Sequence, residues 1–237
     1  MPIVAAIEVC GLTKRFGAVT AVNDLSFTVK AGTVTGFLGP NGAGKTTTLR
    51  MLLGLIQPVA GTAVINGRPY REVRGQVGAS LEATGFHPGR TARDHLRARA
   101  LARGLPGSAV DATLAMVDLA KDAERRIGVF SLGMKQRLGL AAALLGDPGV
   151  LILDEPANGL DPDGVLWLRA LLRGLAAEGR AVLVSSHLLA EVTQTADHVV
   201  IINQGQLVAD GDLDDLLSGG QTLEDLFLTL TRKEARA

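Results

Sequence analysis

The residues whose types and spacing point most directly to chemistry are Gly39-Pro40-Asn41-Gly42-Ala43-Gly44-Lys45-Thr46. The run fits G-x-x-x-x-G-K-[ST], the pattern of a phosphate-binding loop. Glycines let successive backbone N–H groups converge on phosphate oxygens with no Cβ in the way. A helix opening at the end of the loop adds the positive end of its dipole. Lys45 neutralises charge on the β- and γ-phosphates, and the Thr46 hydroxyl is a hard oxygen ligand for Mg²⁺.

A second run, Val150-Leu151-Ile152-Leu153-Asp154-Glu155-Pro156, is an apolar strand ending in two acids. Carboxylates at the end of a buried strand are costly unless paired or bound to a metal. Asp154 is the expected Mg²⁺ ligand, acting through water. Glu155 is the expected general base that polarises an attacking water. Either acid alone could be an ordinary strand end leaving the core; the phosphate loop in the same chain favours the chemical reading.

These groups need elements to hold them. Residues 33–38 read as a strand entering the loop and 46–55 as the helix leaving it, closed by Gly54 and Pro58. Residues 3–9, 22–29, 61–65 and 77–81 read as further strands, as do 150–154, 181–185, 198–202 and 206–209. Helices are expected near 91–103, 109–119, 132–145, 162–178 and 188–195, with two short ones after Gly211. The βα alternation and the continuously apolar strands predict an α/β fold with a mainly parallel sheet covered by helices on both faces. Residues 91–146, rich in Ala, Leu and Arg, read as an inserted helical lobe.

Between and after the two chemical runs lie further motifs in a fixed order. Phe130-Ser131-Leu132-Gly133-Met134-Lys135-Gln136-Arg137 precedes the acidic strand and resembles the ABC signature Leu-Ser-Gly-Gly-Gln with its following Gln-Arg. Asn158-Gly159-Leu160-Asp161 resembles the D-loop, and Ser185-Ser186-His187 the switch histidine after a strand. The ordered set is similar to the ATP-binding cassette family over nearly the whole chain. The resemblance implies a P-loop NTPase fold with an N-terminal antiparallel β subdomain and an inserted α-helical subdomain. It implies one cassette over 1–237: a nucleotide-binding core with the β subdomain at 1–90 and 147–210, the helical subdomain at 91–146, and a tail at 211–237.

The same resemblance implies ATP and Mg²⁺ as cofactors and assigns roles by position. Phe16 would stack on adenine, with a core phenylalanine as the alternative, and Val22 would pack against the nucleotide. The loop from Gly39 to Thr46, with Thr47, would hold the phosphates. His187 would contact the γ-phosphate and the attacking water beside Glu155 and Lys45. Ser131, Gly133 and Asp161 would act across a head-to-tail dimer in which the signature of one subunit faces the phosphate loop of the other. Ser131 also suits a helix N-cap.

Three positions depart from the general family. Leu132 stands where Gly is usual, Met134 where Gln is usual, and Glu82 where the Q-loop glutamine falls. Glu82 is expected to be a third Mg²⁺ ligand with Thr46 and Asp154. With Gly85-Phe86-His87-Pro88 and Thr222-Leu223-Glu224-Asp225-Leu226-Phe227, these departures resemble the ATPases of bacterial drug, bacitracin and lantibiotic exporters. In that subgroup the cassette pairs with a separate transmembrane permease. The permease contact is expected at the groove near 79–96, with Phe86 and the loop to Asp94 as candidates.

Composition narrows the rest. Lys+Arg and Asp+Glu both number 24, so no global basic field favours nucleic acid. Cys10 is the single cysteine, which excludes an internal disulfide and leaves a small buried filler as its expected role. No apolar run reaches the ~18 residues of a membrane span, and the N-terminus lacks the basic start of a signal peptide. The expected place is the cytoplasm, peripheral on the inner membrane face through the permease. The competing readings are a regulatory ABC ATPase with little turnover and a non-transport ABC ATPase. The latter usually carries tandem cassettes, coiled coils or basic extensions, which this sequence lacks.

Overall fold

The computed structural model describes residues 5–81 and 85–232. In chain order the first elements are β1 (Ala5–Phe16), β2 (Val19–Lys30), β3 (Val34–Leu38), α1 (Lys45–Leu52), β4 (Ala60–Ile65), α2 (Tyr70–Val73) and β5 (Val77–Ser80). The helical segment follows: α3 (Ala92–Ala102), α4 (Gly107–Met116) and α5 (Leu132–Leu144). Then come β6 (Val150–Asp154), α6 (Pro162–Ala177), β7 (Ala181–Ser186), α7 (Leu189–Thr195), β8 (His198–Asn203), β9 (Gln206–Asp212), α8 (Leu213–Leu216) and α9 (Leu223–Arg232).

The main sheet has the strand order β5-β6-β7-β3-β8-β9 and is parallel except for the β8–β9 pair. A second, antiparallel sheet has the order β2-β1-β4. The α/β class and the antiparallel N-terminal sheet are therefore as the sequence led us to expect. β1, however, runs to Phe16, past the expected end at residue 9. Its register shifts between Val9 and Leu12, where Gly11 takes φ +61°. A bulge adds an unpaired residue and reverses the inward–outward alternation, which hides the rest of the strand from a period-2 reading. Cys10, expected to be buried, is exposed on this strand.

Alternation along the central strands divides the core. Leu151, Leu153, Val182 and Val184 face one side and pack with Leu96, Leu114 and Leu138 of the helical segment and with Leu168 and Leu172 of α6. Val150, Ile152 and Leu183 face the other side and pack with Leu49 and Leu52 of α1 and with Val22, Leu25 and Phe27 of the hairpin. Each fully buried aliphatic side chain contributes about 1.5–3 kcal/mol of transfer free energy. Truncating a central residue such as Leu153 to alanine would cost roughly 2–5 kcal/mol. A third cluster joins α7, through Val192, to Val199 and Ile201 of β8 and to Leu213 and Leu223 of the C-terminal helices.

This topology brings the chemical segments together. β6, β7 and β3 are adjacent and parallel, so Asp154 pairs with Ser185, and Leu38 with Ser186, at their carboxyl ends. Open α/β sheets bind ligands at that edge. Among the described residues, no helix is long and apolar enough to cross a membrane.

Candidate active site

The phosphate loop connects β3 to α1, and its glycines answer two different needs. A Cβ on Gly39 would lie 2.5 Å from the Ile202 carbonyl oxygen, and one on Gly44 would lie 2.5 Å from that of Ala21. Gly44, at φ +105°, is the N-cap of α1 and leaves its first turn without a side-chain cap. Gly42, at φ +82°, has no protein atom within 4 Å of an added Cβ, so open space lies over it. The arrangement is a backbone cradle at a helix N-terminus, suited to an anion. The buried Lys45 Nζ donates to the Gly39 carbonyl at 2.6 Å and to that of Pro40 at 3.4 Å, which holds the ammonium over the loop.

Facing the cradle are the two acids. Thr46 Oγ1 donates to Asp154 Oδ2 at 2.8 Å, and Ser185 Oγ donates to Asp154 Oδ1. Asp154 is 2% exposed, so these hydroxyls supply its needed partners. Glu155 turns out of β6 with φ +50° and directs its carboxylate to His187, with 2.7 Å between Oε2 and Nδ1. In the Nδ1–H tautomer the imidazole donates to Glu155 and leaves Nε2 for another group. Lys45, Thr46, Asp154, Glu155 and His187 all line one cleft of about 340 Å³, with Pro40 to Gly44 and Thr47 as its floor.

The donor set fits Mg²⁺. A hydroxyl and a carboxylate stand in direct contact, both hard oxygen ligands. Among the described residues no group of three or more His, Cys, Asp or Glu side chains forms a metal cage. Mg²⁺ commonly takes few protein ligands and fills its shell with phosphate oxygens and water. Glu82, expected as a further ligand, lies outside the described residues.

Other expected site residues stand apart from this cleft. Ser131 caps α5, its Oγ accepting from the Met134 N–H at 3.2 Å. Asp161 caps α6 in the same way, accepting from the Gly164 N–H at 2.9 Å. Neither they nor Gly133 line the cleft. Phe16 is 52% exposed, with Lys14 Nζ 5.2 Å from its ring centroid, so it is not a core residue. Val22 is fully buried behind Gly44, and its neighbour Ala21 takes the place on the cleft wall that we had expected for Val22. Phe86 is half-buried and sets its ring edge-on to His95, 5.1 Å between centroids.

Sequence reasoning missed Ala21 and Asn158 as cleft residues and Ser185 as the group that holds both acids. Ser185 was legible only as part of the switch motif; strand register, not spacing, sets it opposite Asp154.

The family profile described as ABC transporter matches residues 22–158. The chain belongs to the ABC transporter family. It is 45% identical over 216 residues to the bacitracin transport ATP-binding protein BcrA of Bacillus licheniformis, covering 89% of this chain and 71% of that one. The lantibiotic transport ATP-binding protein SrtF of Streptococcus pyogenes is 35% identical over 223 residues, covering 93% of this chain and 95% of that one. A solved ATP-binding subunit of an ABC transporter superposes with a TM-score of 0.87 at 31% identity, covering 95% of this chain and 99% of that one. The chain is thus an ATP-binding cassette of the ABC type, a nucleotide-binding ATPase subunit.

Proposed function

We propose that this cassette hydrolyses ATP to drive a separate transmembrane permease that exports a drug or a peptide antibiotic. The observation that carries the chemical part is the convergence, in one cleft, of Lys45, the Thr46–Asp154 pair and the Glu155–His187 pair. The export part rests on likeness to transport ATP-binding proteins for bacitracin and lantibiotics. Residues 1–90 and 147–210 would act as the nucleotide core, 91–146 as the helical subdomain and 211–237 as the tail.

In this reading the loop amides, Lys45 and Thr47 bind the phosphates. Thr46 and Asp154 hold Mg²⁺, with Glu82 as a further ligand; the metal neutralises phosphate charge when bound. Glu155 takes a proton from water, and His187 holds its carboxylate toward the cleft. Phe16, exposed at the end of β1, stacks on the base. Ser131, Gly133 and Asp161 serve a second copy placed head to tail. The permease seats in the groove near 79–96, which makes the cassette peripheral to the membrane from the cytoplasmic side.

The test is phosphate release from MgATP by wild type and Glu155→Gln, with and without the permease in lipid. Turnover that Glu155→Gln abolishes and the permease raises supports a motor. Turnover of wild type no higher than that of Glu155→Gln would sink the reading in favour of a cassette that only binds.

A further inference from the structure

Glu155 is held in a backbone conformation that glutamate rarely adopts. Its φ of +50° lies in the left-handed region. Such a residue persists only where its surroundings over-determine it. Its amide donates to the Ser185 carbonyl at 3.2 Å and to Ser185 Oγ at 3.0 Å, and its carboxylate meets His187. Its carbonyl oxygen accepts from the Asn158 N–H at 3.2 Å and from Gln136 Nε2 at 3.0 Å.

The last of these bonds comes from elsewhere in the fold. Ser185 and Asn158 belong to the adjacent strand and to the same loop, whereas Gln136 stands on α5, in the helical segment that carries Ser131. A second contact runs alongside it. The Leu132 side chain covers Gly159, where an added Cβ would fall 2.4 Å from it, and Gly133 packs against the Gly159 carbonyl. The loop from Glu155 to Leu160 is therefore seated on the first turns of α5.

We propose that Gln136 is a positioning residue for hydrolysis: its amide fixes the Glu155 carbonyl and so holds the left-handed turn that aims the carboxylate. The inference rests on the reading of Glu155 as general base. It gives α5 a second task. Ser131 and Gln136 lie about 7–8 Å apart along the helix axis, at 1.5 Å per residue. A shift of the helical segment that moves the signature end also moves the bond that sets the base.

The experiment is a double-mutant cycle on the full chain: wild type, Gln136→Met, Glu155→Gln and both together. Single-turnover ATP hydrolysis, affinity for a fluorescent ATP analogue and melting temperature are measured for each. Gln136→Met keeps length and helix propensity but removes the donor. We expect it to lower the hydrolysis rate roughly threefold to tenfold, the worth of one hydrogen bond, with nucleotide affinity within about twofold. In the Glu155→Gln background it should change nothing further, because it acts through that side chain. Equal rate losses in both backgrounds, or a wild-type rate in Gln136→Met while Glu155→Gln is inactive, overturn the positioning role alone. A wild-type rate in Glu155→Gln overturns the general-base reading, and this inference with it. If Gln136→Met melts more than about 5 °C early, Gln136→Glu, which keeps length and polarity but cannot donate when ionised, takes its place in the same cycle.

Discussion

Helices α1 and α5 each follow a loop that bears one of the sequence motifs, but their first turns are finished differently. At α1 the N-cap is Gly44, no side chain caps the turn, and a buried lysine and two carboxylates close around it in a cleft. At α5 the cap is Ser131, whose hydroxyl already satisfies the Met134 N–H, and the next residue, Leu132, is 64% exposed. One terminus opens into a cleft that Lys45, Asp154 and Glu155 line. The other leaves Leu132 exposed beside its capped first turn. A helix N-terminus with its dipole exposed gains most when an anion is brought to it from outside. On the proposed function, α1 would hold the phosphates and α5 would offer its first turn to a second copy placed head to tail.

The sharpest way to test that division is within the cleft. Glu155→Gln keeps the shape of the side chain and removes a base, so turnover should fall about 10²- to 10⁴-fold while ATP remains bound. If α5 meets the nucleotide of a second copy, the stalled variant should also accumulate as a dimer with MgATP, read by light scattering. A monomer throughout would break the shared-site half of the comparison and leave the cleft itself intact.

Lys45→Ala is next in size. It removes the buried cation from the α1 site, and charged hydrogen bonds of this kind are worth about 1.5–3 kcal/mol, so affinity should drop roughly tenfold to a hundredfold by calorimetry. An affinity within about twofold of wild type would remove the basis for placing the phosphates at α1.

Ser131→Ala probes the other terminus and should separate the two. Loss of the N-cap costs about 1 kcal/mol of stability, measurable as a small fall in melting temperature. Nucleotide affinity of the single chain should stay at the wild-type value, because Ser131 lies off the cleft. Turnover and MgATP-driven dimerisation should both weaken. A fall in single-chain affinity equal to that of Lys45→Ala would show that α5 acts within its own cleft, and the assignment of Ser131 to a second copy would be wrong.

The placement of the α1 end was legible in the sequence because it is local. A loop, the helix that follows and an acid pair at a strand end are contiguous runs, and the structure brings them to one cleft. The strands that hold them were legible too, as continuous apolar segments. What the sequence could not yield was set by register and approach. Ser185 reaches Asp154 only because β6 and β7 pair in parallel at that residue. Gln136 reaches Glu155 through the packing of α5 on the catalytic loop, which no periodicity encodes. Val22 and Ala21 exchanged places because a one-residue step on a strand inverts which side chain faces inward. The long β1 was hidden by its bulge.

The smallest effect expected is a dependence on pH, and it too divides the molecule between the two helices. The segment bearing α5 contains His95, buried and pushed down to about 4 by its desolvation and by the Arg99 and Arg90 charges. Its Nε2 accepts from Arg99 Nε at 3.1 Å, and its ring meets the edge of Phe86, so only the neutral form fits. The sheet that carries α1 contains His198 on β8, whose two ring nitrogens lie 2.6 Å from Asp210 and Asp212, with Lys30 also at Asp212. The hydrogen bond to Asp210 is the main cause that raises its pKa, aided by the one to Asp212 against the cost of burial. The signs are opposite. His95 is depressed when folded, so the stability it contributes is complete above the unfolded value near 6.5 and is lost as pH falls toward 4. His198 is raised, so its contribution is complete below about 6.5 and is lost as pH climbs through the folded value. Taking the protein from about pH 8 to pH 5 should therefore loosen the helical segment and tighten the β8–β9 edge. Hydrogen exchange, corrected for intrinsic rates, should show protection falling at Leu96 and Leu138 and rising at Val200. His95→Gln should remove the acid response of α3 and α5 while leaving that of β8. If both regions lose protection together in acid, the fold opens as one unit, and α1 and α5 do not ride on separable halves.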